Sequence, residues 1–72
     1  MIQGMLIKQV AGHFSVEDNV LLGEDERIAL FDEDEQEWLE GTVKKDTFGE
    51  YFFTDGFQVV YLYEGLPVRI KN

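Results

Sequence analysis

Turn-forming residues punctuate this chain so closely that a long helix has no room. Ala11-Gly12, Asp18-Asn19, Asp32-Glu33-Asp34-Glu35, the stretch 46–49, Asp55-Gly56 and Glu64-Gly65 each break it. Between them lie short runs rich in β-branched and aromatic residues, the signature of a sandwich or barrel. The helical repeat of apolar residues at i, i+3, i+4 and i+7 fails almost throughout. Residues 5–8, 13–16, 26–31, 37–45, 50–54, 58–63 and 66–71 read as strands. Residues 20–23 read either as a short strand or as a loop that plugs one end of the core. Residues 19–30 also admit a short helix capped by Asp18 or Asn19, against which Gly23 argues.

Several positions fix facing and turns. In 37–45, Leu39, Gly41 and Val43 share one face and Trp38, Glu40, Thr42 and Lys44 the other. Gly41 inside a strand signals a bulge or a sharp bend. Asp55-Gly56 suits a type I′ hairpin turn, which needs positive φ. Pro67 starts the last strand or places it on an edge, with Val68 and Ile70 inward and Arg69 and Lys71 outward. About six or seven short antiparallel strands should curl into a small SH3-like barrel, because an open sheet would leave edges and one apolar face bare. Residues 1–72 read as one all-β domain.

A chain of 72 residues buries only about 60–65% of its unfolded surface, so small domains of this size lean on disulfides, metals or partners. Here there is no cysteine and one histidine, which excludes disulfides, thiolate metal sites and a multi-histidine zinc site. No metal or cofactor is expected. A core drawn from six Phe, three Tyr and one Trp, or oligomerisation, must hold the fold. The absence of cysteine fits a reducing compartment, the N-terminus lacks a signal-peptide pattern, and no apolar run approaches a membrane span. The expected location is the cytoplasm of a cell.

The net charge of −9 opposes direct binding to nucleic acid or to an anionic membrane, and suits a basic partner. Residues 17–40 hold eleven of the fifteen acids and one base, Arg27. Within them Glu24, Asp25, Asp32, Glu33, Asp34, Glu35, Glu37 and Glu40, with Trp38, form the candidate partner-binding surface. One reading is an imitation of the phosphate array of nucleic acid, able to occupy a basic groove. The other is a solvated hairpin tip that keeps the chain soluble and guards an edge.

Other patterns carry less. Asp32-x-Asp34-x-x-Glu37 resembles the start of a calcium loop but lacks the next oxygen ligand and the glycine. His13 and Ser15 share one face of a strand, with no nucleophile elbow or oxyanion hole to make them catalytic. No enzymatic activity is expected. Trp38, Tyr51, Phe53, Tyr61 and Tyr63 are candidates for a binding face, while Phe31, Phe52 and Phe57 are equally suited to the core. Trp38 is a core pin if buried and an interface anchor if exposed. Lys44, Lys45, Arg69 and Lys71 could neutralise the acidic stretch of a second copy, giving a homo-oligomer, or hold a phosphate.

The second half carries a cadence of its own. A Trp-bearing strand, Glu37-Trp38-Leu39-Glu40-Gly41-Thr42-Val43, is followed by Glu50-Tyr51-Phe52-Phe53, and the chain closes on Tyr63-Glu64-Gly65-Leu66-Pro67-Val68-Arg69-Ile70. Together with Gly4-Met5-Leu6 this resembles a family of small phage and mobile-element proteins of Gram-positive bacteria that end in a Gly-Leu-x-Val-Arg-Ile-like strand. The resemblance covers about half the chain, departs from the family over the acidic residues 17–37, and carries over no catalytic residue. It implies a small β-barrel of phage or mobile-element origin. Joined to the acidic charge, it leads to an expected function: a non-enzymatic interaction protein that binds and inhibits a basic surface on a host protein, for instance a nucleic-acid-handling defence enzyme, in the manner of an anti-CRISPR or DNA mimic. A nucleotide-binding homo-oligomer and an accessory structural module are the alternatives.

Overall fold

The computed structural model describes residues 1–17 and 20–70. Eight strands follow one another: β1 (Ile2–Lys8), β2 (Phe14–Val16), β3 (Val20–Leu21), β4 (Arg27–Asp32), β5 (Glu37–Lys45), β6 (Tyr51–Thr54), β7 (Val59–Tyr61) and β8 (Pro67–Ile70). A single 3₁₀ turn, Val10–Gly12, separates β1 from β2. The described residues contain no α-helix, so 20–30 is not helical: two strands, beginning at Val20 and Arg27, are joined by a turn. The turn expected at Asp18-Asn19 and the outward placement of Lys71 lie outside the described residues.

All ladders are antiparallel, in the order β3-β2-β1-β8-β4-β5-β6-β7. The all-β expectation holds, with one correction. The sheet is open, not a closed SH3-like barrel, and it has eight strands rather than six or seven. Its ends are short. Leu22, just after β3, and Leu62, just after β7, each donate one further bond to the neighbouring strand, to the Phe14 and Tyr51 carbonyls at 2.9 and 3.1 Å, and turn their side chains into the core.

Curling comes from two long strands that change partner along their length. Residues 2–5 of β1 pair with β8 and residues 6–8 with β2; residues 37–42 of β5 pair with β4 and 42–45 with β6. Gly41 sits at the bend of β5. A Cβ there would overlap the Thr54 carbonyl oxygen and lie 2.6 Å from the Phe53 ring, so only glycine lets β6 fold over so closely.

The inward faces meet in one core. Leu6, Phe14, Val16, Leu30, Val43, Phe53, Leu66 and Val68 are among its buried members. Alternation in β5 and β8 follows the sequence pattern, with Gly41, Val43, Val68 and Ile70 inward. Ser15 is the one buried polar side chain among the described residues; its hydroxyl donates to the Glu17 carbonyl and accepts from Gln9 Nε2, both at 2.8 Å. It therefore lies inside β2, whereas His13 precedes β2 and is exposed, 3.4 Å through Nδ1 from the Tyr51 hydroxyl. The radius of gyration, 11.2 Å, matches the about 11 Å of a compact domain of this length.

Two further expectations change. Asp55-Gly56 does not form a type I′ turn. Of the two, only Gly56 has positive φ, and a longer loop is held by the Asp55 carboxylate, which accepts from the Phe57 and Gln58 amides at 2.9 and 3.0 Å. That loop carries Phe57 out to 97% exposure, so it is no core residue. Phe52 is on the outer face, partly buried against Tyr61 at 5.6 Å between ring centres.

Candidate functional site

The acid-rich segment is divided by β4. Glu24, Asp25 and Glu26 precede it, Asp32 ends it and Glu33 to Glu37 follow, and the six-residue strand holds the groups about 17 Å apart. The structure does not bring the two groups together.

Two of the first group are spent on the chain itself. Glu26 accepts from the Gly23 amide at 2.7 Å through Oε1. Asp25, at a φ of 72°, donates its amide to the Val43 carbonyl at 2.7 Å. Its carboxylate meets Lys44 Nζ at 2.5 Å. That hydrogen bond, reinforced by the charge of Asp25, raises the Lys44 pKa above its ordinary value. Glu24 is exposed beside the pair.

The second group forms the β4–β5 hairpin. Asp32 Oδ1 accepts from the amides of Asp34 and Glu35 at 3.0 and 3.3 Å, the local turn for which aspartate is suited. This accounts for the Asp-x-Asp pattern without a cation. Gln36 closes the tip at a φ of 55° and donates from Nε2 to the Glu33 carbonyl. Glu33, Asp34, Glu35 and Glu37 are exposed, and among the described residues their carboxylates have no hydrogen-bond or ion-pair partner. Glu40 is exposed on the outer face of β5.

Beneath this tip the curled sheet leaves a cleft of about 370 Å³. Four apolar side chains line its base: the partly buried Leu39 from β5 and Val60 from β7, with Leu30 and Leu66, both buried in the core, behind them. Asp32, Glu33 and Asp34 line one side, Gln58 and the half-exposed Tyr63 the other. An apolar floor with acid on one rim and an amide and a phenol on the other suits a side chain that is apolar at one point and cationic at another. Gln58 and the floor residues were not recognisable as a site in the sequence, because four separated segments contribute them.

Trp38 is elsewhere. It is half-buried on the outer face, edge-on to Phe31 at 5.2 Å and covered by the Arg69 guanidinium 3.9 Å above its ring. Arg69 also donates to Gln3 Oε1 at 2.9 Å. Ala29 stands in register between Arg69 and Glu40, and its small side chain leaves room for the arginine to cross β4. The tryptophan is thus neither core pin nor bare anchor. The basic residues are dispersed as well: Lys44 pairs with Asp25, Lys45 Nζ lies 5.5 Å from the Tyr51 ring centre, and Arg69 is on β8.

Two hairpin loops hold ordered acids. Asp46 accepts from the Glu50 and Phe48 amides, each at 2.9 Å, and from the Tyr61 hydroxyl at 3.0 Å. These bonds, the Glu50 amide first, hold its carboxyl below the ordinary range, and the same contact raises the Tyr61 pKa. Asp55 is lowered by the Phe57 amide and then by that of Gln58.

Comparison with protein-family models, curated proteins and solved structures finds no match for this chain. No helix among the described residues is long and apolar enough to cross a membrane.

Proposed function

We propose that this protein is a non-enzymatic interaction module that takes a basic, partly apolar element of another protein into the cleft beneath the β4–β5 hairpin. The observation that carries the reading is the pairing of unneutralised acid with an apolar floor at one place: Asp32, Glu33 and Asp34 stand over Leu30, Leu39, Val60 and Leu66. A solvated hairpin tip requires the acid but not the floor. The carboxylates steer a cationic partner and the floor gives it something to bury.

The resemblance of the closing strand to phage and mobile-element proteins extends the proposal to a host partner. A nucleic-acid-handling enzyme, whose basic groove such a surface would block, is the class that fits. The phosphate-mimic form of this idea must use the hairpin alone, since Glu24 and Asp25 lie at the far end of β4.

The test is a titration of isotope-labelled protein with a short lysine–valine peptide, Val-Thr-Lys-Thr repeated so that valine and lysine share one face of the extended strand, at low and high salt. Binding should shift the amides of 32–34, Gln58, Val60 and Tyr63 and weaken as salt rises. Shifts centred on 24–26, or none, would count against it.

A further inference from the structure

The cleft also borders an unfinished sheet edge. β7 is an edge strand of the sheet, and its residues Val59-Val60-Tyr61 include no charge and no proline, so that its shortness is its only guard along the strand. Its register shows which backbone groups are unused. Leu62 donates its amide to the Tyr51 carbonyl at 3.1 Å, and Val60 stands opposite Phe53 two positions on. In an antiparallel ladder the bonded pairs alternate, so Val60 and Leu62 face β6. The N–H and C=O groups of Val59 and Tyr61 therefore point away from it, along the free edge. The outer side chains of this edge are open too, at 57% for Val59 and 51% for Tyr61.

Val60 ties the edge to the cleft. Its side chain faces inward, with Phe53 fully buried on its β6 side. Val60 also lines the cleft, together with Leu30 and Leu66. A strand added beside β7 would place an inward residue next to Val60, within that space.

We propose that β7 accepts an extended segment of a basic partner as a ninth strand. This rests on the cleft reading above and gives its mode of binding. The added strand takes its hydrogen bonds from Val59 and Tyr61, sets one apolar side chain into the cleft beside Val60, and sends a lysine or arginine on the same face to Asp32, Glu33 and Asp34. Main-chain pairing gives affinity and the alternate side chains give selectivity. Charge selects the occupant. A second copy of this chain would bring another −9 to an edge already flanked by acid, whereas a basic segment is drawn to it.

The experiment compares the lysine–valine peptide with the same peptide N-methylated at alternate amides, which keeps its charge and side chains but removes donors. Methylation on the pairing side should weaken binding by about tenfold or more, the loss of two or so net hydrogen bonds. The parent peptide should protect the Val59 and Tyr61 amides from hydrogen exchange. Val59→Pro should weaken the parent peptide similarly while leaving the fold intact, because the amide it removes serves no β6 bond. If Val59→Pro does not fold, the peptide pair still decides. Equal binding of both peptides would overturn strand addition and leave the acidic cleft standing. Binding of neither would remove the cleft reading as well. Protection of Val59 and Tyr61 in the peptide-free protein, with a dimer in sedimentation, would assign the edge to a second copy and overturn the proposal.

Discussion

At the start of β4, Asp25 and Glu26 are occupied with Lys44 and the Gly23 amide; past its end, Glu33, Asp34, Glu35 and Glu37 face solvent, the first two of them on the rim of the cleft. In sequence the two groups form one acidic run. In the fold they are a bonded corner and a solvent-facing rim. The strand between them makes the difference, because its two ends enter different surroundings. The corner packs against β5 where Lys44 and the Val43 carbonyl await it, and the tip projects past the last ladder pair, Asp32 opposite Glu37. A charge run therefore reports what the chain carries, and the neighbours decide what each charge does.

The comparison can be broken most severely at the bend that holds both ends in place. Gly41→Val puts methyl groups into the Phe53 ring and the Thr54 carbonyl, and should destabilise the fold by about 3 kcal/mol, at the upper end of overpacking costs, read by urea unfolding. Corner and tip should be lost together. Glu26→Ala acts on the corner alone. It leaves the Gly23 amide without its partner, and should cost about 1 kcal/mol and lower the Tm by roughly 4–8 °C, while Glu35→Ala at the tip should leave the Tm nearly unchanged. The smallest effect is set by pH. Asp46 and Asp55 have folded pKa values below their unfolded ones, so their stabilisation is present above about pH 4 and is lost as pH falls through the lowered values. Replacing both with Asn should flatten that acid limb of a Tm–pH series without altering the neutral plateau by much.

How much of this could be read from the residues follows the range of the interactions involved. The strand 37–45 was legible in full, since its alternation and Gly41 are local signals, and Pro67 marked the start of β8 correctly. The Asp55-Gly56 turn misled because a dipeptide shows that positive φ is tolerated, not how many residues the loop will use. Asp55 caps two amides, lengthens the loop and exposes Phe57. Barrel closure was not legible either, since nothing local to the short end strands β3 and β7 tells whether their outer edges meet. The acid of the candidate site was plain in the sequence. Its floor was not, because Leu39, Val60 and Leu66 look like ordinary core residues until the curl of the sheet leaves a gap between them.

The most direct test of the central claim is a paired charge reversal read by the affinity of the lysine–valine peptide. Asp32→Lys/Glu33→Lys/Asp34→Lys alters the tip, and Glu24→Lys/Asp25→Lys alters the corner. An exposed pair is worth roughly 0.5 kcal/mol and its reversal adds a repulsion of like size, so reversing all three tip carboxylates should weaken binding by about a hundredfold. Corner reversal should change it by only about twofold, through net charge alone, with both proteins shown to be folded. Equal losses from the two variants, or a larger loss from the corner, would contradict the claim that the cleft beneath the hairpin is where the partner binds.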